Sequence, residues 1–179
     1  MIYVIRHGQT DWNVAGKTQG SIETTLNEAG IKQAEIISEE LKNTKLDVVL
    51  CSPQNRCKET AEIICKDRNI PIIEIDELKE RGFGEFEGKK KGIDYDWIEF
   101  WNWEANNHYE QAENVREFYK RVSDIIEKIK KDYTEKNLLL VTHSGVCAMI
   151  YCYLNNLKPN GKLKVPGTQN CELMKYDIN

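Results

Sequence analysis

Arg6-His7-Gly8 follows Ile2-Tyr3-Val4-Ile5 directly, so an imidazole flanked by a guanidinium and a small residue stands where a short apolar strand runs out. These residue types suit phosphate chemistry. A neutral histidine can attack a phosphoryl group, an adjacent arginine can neutralise its oxygens, and Gly8 leaves room for close approach. In open α/β sheets ligands collect outside the carboxyl ends of the strands, which is where this tripeptide falls. Arg-His-Gly alone is a weak motif that ordinary surface loops also produce, so its weight depends on what else reaches the same place.

Three further segments do. Ser52-Pro53-Gln54-Asn55-Arg56 follows the apolar run 46–51, and Pro53 near a helix start aims Arg56 from the first turn. Leu78-Lys79-Glu80-Arg81-Gly82-Phe83-Gly84 follows the run 70–75; its glycines argue for a loop that carries Glu80 to the rim. His143-Ser144-Gly145 follows the run 138–142 and opens a helix whose free amides are expected to face an anion. Each residue has an ordinary structural reading: Arg56 paired to a surface acid, Glu80 capping a turn, His143 satisfied within a core. Four successive strands that each deliver an ionisable side chain to one edge make a shared site the economical explanation.

The elements that must position these residues alternate as short apolar runs and helical patterns, the βα rhythm of a mainly parallel sheet. Strands are predicted at 2–6, 46–51, 70–75 and 138–142, buried on both faces, with an edge strand at 171–176. Asn27 caps a helix carrying Ile31, Ala34, Ile37 and Leu41 on one face, and Val115, Phe118, Val122, Ile125 and Ile129 mark another. The predicted fold class is α/β: a three-layer sandwich with a mainly parallel central sheet, one antiparallel edge strand and helices on both faces. No repeat, low-complexity tract or linker divides the chain, so residues 1–179 read as a single domain.

Composition narrows the function classes. With 179 residues, 40% of them hydrophobic, the chain can bury a proper core, and a net charge of -4 offers no broad attraction to nucleic acid or an anionic membrane. No signal-peptide pattern follows Met1 and no apolar run is long enough to span a bilayer, so a soluble cytoplasmic protein is expected. The six cysteines (51, 57, 65, 147, 152 and 171) lack zinc or redox spacing and read as reduced and buried. Cys51 and Arg56 are separated by four residues, one short of the Cys, five residues, Arg loop of thiol phosphatases. The three histidines, His7, His108 and His143, show no paired ligand spacing, which leaves no expected metal site.

Taken in order, these blocks resemble the histidine phosphatase superfamily, the phosphoglycerate mutase-like proteins, and its first branch in particular. Arg6-His7-Gly8-Gln9-Thr10 with Asn13 is similar to the opening motif, followed by Gln19-Gly20, Leu26 and Gly30. Ser52-Pro53 with Arg56 and Thr60-Ala61 resembles the second block, and Leu78-Lys79-Glu80-Arg81 with Gly84 and Glu87-Gly88 the third. Thr142-His143-Ser144-Gly145 resembles the closing block, and Glu113 with Arg121 a helix before it; Ala112 and Asn114 depart from the common Gly and Ser around Glu113.

The resemblance implies a metal-independent, cofactor-free phosphomonoesterase of the histidine acid phosphatase type. His7 would form the phosphohistidine, Arg6, Arg56 and a protonated His143 would neutralise the phosphoryl group, and Glu80 would act as general acid. Asn13, Gln19, Gly20 and Ser144 are the expected substrate-binding residues. The expected partners are a small phosphate ester and inorganic phosphate as product, without nucleic acid or membrane; the sequence is silent on oligomeric state. The segment between Glu80 and His143 is shorter than in the family's mutases, which favours hydrolysis. A cofactor (2,3-bisphosphoglycerate)-dependent phosphoglycerate mutase, using Lys89-Lys90-Lys91 as a basic patch, is the alternative, and a non-catalytic phosphate-binding protein is the alternative of another class. Residues 85–112 are expected to form a small lid or cap. Within it, Trp97, Phe100 and Trp101 at helical spacing either pack one helix face or line the pocket as an aromatic wall. A wall would suit α-ribazole 5'-phosphate or a nucleotide-like ester.

Overall fold

In the computed structural model, which describes residues 1–159, 166 and 168–177, five strands form one sheet in the order β3-β2-β4-β1-β5. They are β1 (Ile2–Arg6), β2 (Val48–Cys51), β3 (Ile72–Glu74), β4 (Leu138–Thr142) and β5 (Leu173–Tyr176). The first four run parallel and β5 pairs antiparallel with β1. Register pairs Arg6 with Thr142 and Cys51 with Val141. The carboxyl ends of β1, β2 and β4 are therefore nearly level, and the residues that follow them emerge at one rim.

Alternation along the strands divides the core in two. Val4, Leu50, Leu138 and Leu140 face one side, with Phe118, Val122, Ile126 and Ile150 of α5 (Val115–Asp132) and α6 (Ser144–Leu154). Ile5, Val49, Leu139 and Val141 face the other, with Ala34, Ile37, Ala61 and Ile64 of α2 (Glu28–Leu41) and α3 (Asn55–Cys65). Asn27 caps α2 as its side chain accepts from Gly30 N. The single-turn helix α1 (Asp11–Val14) is closed by a capping box between Thr10 and Asn13, and α4 (Trp97–Phe100) is capped by Asp96.

One expectation fails at the sheet edge. Strand β3 is not buried on both faces: its three residues are exposed, Ile72 and Ile73 among them, at the outer edge of the sheet. Both outer strands also start later than the apolar runs suggest. Cys171 takes a positive φ of 55° and its N–H bonds to Arg6 O at 3.0 Å, so β5 opens only after that turn. Among the described residues no helix is long and apolar enough to cross a membrane.

Candidate active site

His7 sits one residue past β1, anchored by its own backbone: its N–H donates to Thr142 O at 2.9 Å, and its carbonyl accepts from Asn170 Nδ2 at 2.9 Å. The ring Nδ1 lies 2.7 Å from Gly8 O. A carbonyl can only accept, so Nδ1 carries the proton and Nε2 is left as the free nucleophilic nitrogen. Burial, then Arg6 and Arg56, hold the His7 pKa well below 6.5, which keeps the imidazole neutral. Gly8 is needed for a different close approach from the one expected. A Cβ there would come within 2.6 Å of Gly30 O, so the glycine lets the loop pack against the start of α2 rather than clearing space for a ligand.

Arg56 is fully buried in the first turn of α3, and its Nη1 and Nη2 donate to Ile22 O and Gly20 O, each at 2.9 Å. Arg6 Nη1 donates to Thr168 O. The Nε of each arginine is buried without a hydrogen-bond partner, and neither arginine forms an ion pair with a carboxylate among the described residues. Burial pushes both guanidinium pKa values below the ordinary range. Two desolvated cations beside a histidine, with donors unspent, form a site that an oxyanion completes.

Glu80 faces them from the loop after β3. Its Oε1 accepts from Arg81 N at 2.9 Å and its Oε2 from Gly145 N at 3.1 Å. The Gly145 amide is thus taken by Glu80 and is not one of the free amides expected at the α6 N-terminus. A Cβ on Gly145 would lie 2.2 Å from Glu80 Oε1, so glycine there makes this carboxylate position accessible. The loop itself is clamped by Arg121, which grips Glu113 through Nε and Nη2, both at 2.8 Å, and donates from Nη1 to Glu77 O at 2.7 Å and Lys79 O at 3.0 Å. The Glu113 and Arg121 pair noted in the sequence thereby acquires a mechanical role.

These groups enclose a cavity of about 210 Å3 whose walls include Arg6, His7, Asn13, Gln19, Gly20, Arg56, Glu80 and Ser144. Asn13 Oδ1 accepts from Thr10 N at 3.1 Å and Asn170 Nδ2 at 3.2 Å, and Gln19 Oε1 accepts from Thr10 Oγ1 at 3.2 Å and Thr24 Oγ1 at 2.5 Å. Their oxygens being engaged, the amide nitrogens are the ends left to the cavity. The opposite end is lined by Phe83, Trp97, Trp101, Ala148, Met149, Cys152 and Pro159, with Lys17 and Lys91 also on the walls. Trp97 and Trp101 do both things proposed for them: they pack with Phe83 and Phe100 and they line the cavity. Trp103, also in this segment, stands edge-on to Tyr119 and under Arg116.

His143 is placed differently from the other expected residues. It stands edge-on to His7 with ring centroids 5.4 Å apart, but it is fully buried and lies behind the cavity wall. Burial, then Arg56 and His7, push its pKa well below 6.5, a direction that disfavours the protonated ring implied by the resemblance. Sequence reasoning also missed Gln54, whose Nε2 donates to Gly20 O at 2.9 Å while its Oε1 accepts from Glu80 N at 3.1 Å, tying two walls together. Thr60 Oγ1, which accepts from Gly8 N at 3.0 Å, and Asn170 were missed as well. Thr60 and Gln54 stood in quoted motif segments without a role, and Asn170 had no signal.

A parallel sheet with a nucleophilic histidine and two unpaired arginines at its carboxyl edge defines a phosphoryl-transfer enzyme, and the comparisons agree. The family model of the histidine phosphatase superfamily (branch 1) matches residues 2–179, and this chain belongs to that family. It is similar to the metal-independent phosphoserine phosphatase of Arabidopsis thaliana, 36% identical over 90% of this chain and 71% of that protein. It is also similar to the adenosylcobalamin/alpha-ribazole phosphatase of Escherichia coli (strain K12), 30% identical over 99% of this chain and 90% of that protein. Among solved structures, YhfR of Bacillus stearothermophilus superposes with a TM-score of 0.88 at 25% identity, covering 99% of this chain and 91% of that one. The chain is a phosphomonoesterase of this superfamily.

Proposed function

We propose that the chain hydrolyses a small phosphomonoester through a phosphohistidine on His7, with no metal in the charge balance. The phosphoryl oxygens lie against Arg6, Arg56, Asn13 and Gln19, with Gly20 and Ser144 completing the wall. His7 Nε2 attacks phosphorus in line with the ester oxygen: the P–N bond forms as the P–O bond breaks, and Glu80 gives its proton to the departing oxygen. Glu80, now a carboxylate, takes a proton from water as that water attacks phosphorus. The P–N bond breaks, inorganic phosphate leaves and His7 returns neutral. The arginines act by fixed charge, which needs no reorganisation during transfer.

The observation that carries the substrate reading is the second end of the cavity. Phe83, Trp97, Trp101, Ala148 and Met149 offer apolar wall in the same cavity as Glu80, and in this reading they receive the leaving group. That surface fits an ester whose alcohol carries an aromatic or base-like body, of the α-ribazole 5'-phosphate or nucleotide kind. In this reading residues 85–112 act as a cap that encloses the leaving group. A second reading is favoured by Lys91. The residue is exposed, yet its ammonium lies 4.6 Å over the Trp97 ring on the cavity wall, where desolvation lowers its pKa. A compact ester with a second anionic group, such as phosphoserine or a phosphoglycerate, would engage it.

Phosphate release from a panel of phosphomonoesters separates the two. Preference for ribazole or nucleoside monophosphates over phosphoserine and 3-phosphoglycerate supports the apolar reading, and the reverse order supports the anionic one. Isomerisation of 3-phosphoglycerate in the presence of its bisphosphate primer would replace hydrolysis by the mutase reaction. Activity that resists exhaustive chelation and is inhibited by vanadate is expected throughout; loss on chelation would overturn the metal-free charge balance.

A further inference from the structure

Glu87-Gly88 belongs to the third sequence block, yet Glu87 has no task in the mechanism above. Its side chain is half-buried and forms no ion pair among the described residues. One oxygen gathers three donors: Oε1 accepts from Ser21 N at 2.8 Å, Ser21 Oγ at 2.6 Å and Phe83 N at 3.2 Å. The first of these matters most. Ser21 N shares a peptide unit with Gly20 O, and Gly20 O accepts from Arg56 Nη2 and Gln54 Nε2, each at 2.9 Å. A trans peptide is planar with its N–H and C=O pointing opposite ways, so fixing one fixes the other. Glu87 and Arg56 therefore face each other across a single peptide, a carboxylate at its donor end and a guanidinium at its acceptor end. Such a chain strengthens both hydrogen bonds by polarising the group between them. Gly20 takes a φ of 54°, and beside a glycine this peptide could otherwise turn over at little cost.

We propose that Glu87 is a positioning residue that aims the Arg56 guanidinium at the phosphoryl group by locking the peptide between Gly20 and Ser21. The inference rests on the reading of Arg56 as a phosphoryl-binding group. A direct ion pair would hold Arg56 by spending its donors and its charge on the protein. Acting through the peptide, Glu87 fixes the guanidinium by one N–H of Nη2 and leaves the charge to meet an oxyanion. Phe83 N lies in the loop that carries Glu80, so the same carboxylate oxygen also ties the Arg56-holding turn to the loop of the acid.

Two conservative variants separate reach from charge. Glu87→Asp keeps the charge but withdraws it by one methylene, whereas Glu87→Gln keeps the reach with an amide oxygen that still accepts. Glu87→Asp should weaken vanadate inhibition and lower kcat/KM by about tenfold each, short of the loss on removing an oxyanion donor outright. Glu87→Gln should stay within about threefold of the wild type in both. In an Arg56→Lys background Glu87→Asp should cost little more, because the group it aims is already gone. Equal effects in the two variants, a larger loss in Glu87→Gln, or losses that add in the double variant overturn the proposal. So does a Glu87→Asp protein that is less stable in urea yet inhibited by vanadate as before, the mark of a structural role alone. Failure of the Arg56 reading shows separately, as Arg56→Lys that leaves kcat/KM and vanadate inhibition unchanged, whatever the Glu87 variants do.

Discussion

At the phosphate end of the cavity each reactive side chain is held by main-chain groups, whereas at the aromatic end side chains hold one another. His7 is fixed through Thr142 O and Gly8 O, Arg56 through Gly20 O and Ile22 O, and Glu80 through two amides. Across the cavity, Phe100 stacks on Phe83 at 4.9 Å, and the Arg81 guanidinium lies 3.7 Å over the Phe100 ring and 4.7 Å from Trp101 while its Nη1 donates to Phe100 O at 3.0 Å. Main-chain anchoring gives positions that change only if the sheet does. Mutual stacking gives a surface that can repack when the leaving group differs, which is what a family with one chemistry and several substrates requires.

The comparison breaks most sharply at the nucleophile. His7→Ala should lower kcat by about 10^4-fold or more, the scale of losing a covalent catalyst, and should yield no phosphoenzyme after a rapid alkaline quench. Arg56→Lys should cost about 10^2 to 10^3 in kcat/KM, since a point charge cannot hold two loop carbonyls and face the oxyanion together. A loss confined to KM would show that Arg56 binds ground state and transition state alike.

Gly145→Ala tests whether Glu80 is the acid. The added Cβ would push into Oε1 and displace the carboxylate. Hydrolysis of alkyl phosphates should slow by about 10^2-fold, while activated aryl phosphates, whose leaving oxygen needs no proton, should be nearly spared. Equal slowing of both would assign the damage to the fold instead.

At the aromatic end, Arg81→Leu leaves the acceptors Glu113 O and Phe100 O without their donor and should destabilise the protein by about 2–4 kcal/mol in urea unfolding. It should raise KM for aryl esters several-fold and leave inhibition by vanadate, which fills only the phosphate end, unchanged. Weaker vanadate binding would mean that the two ends are not independent.

The same difference explains what was legible in the sequence. Arg6, His7, Arg56, Glu80 and His143 could be placed because a strand has a fixed period and a parallel sheet sends its ends to one rim. Gln54, Thr60 and Asn170 could not, because their partners are set by tertiary contacts: Asn170 meets His7 across most of the chain. The burial that lowers the His143 pKa was not legible either, because no motif encodes burial. Within residues 85–112, helical spacing of Trp97 and Phe100 foresaw only the single turn of α4. The rest is irregular chain whose aromatic contacts have no period to read.

The smallest effect is the pH dependence of stability, and it too divides the two ends. His7 and His143 are held neutral in the folded protein, by burial first and then by the arginines, whereas in the unfolded chain they titrate near 6.5. Below that pH the unfolded state binds protons that the folded state refuses, so stability falls as pH drops and is unaffected by these rings above it. Each ring contributes a slope of up to about 1.4 kcal/mol per pH unit. Urea unfolding between pH 7.5 and 5.5 should show this loss, and His7→Gln should remove about half of it. Arg81→Leu, acting at the aromatic end, should lower the whole curve without altering its slope between those pH values. A changed slope in Arg81→Leu would show that the aromatic end governs the burial of the histidines, and with it the neutrality on which His7 depends.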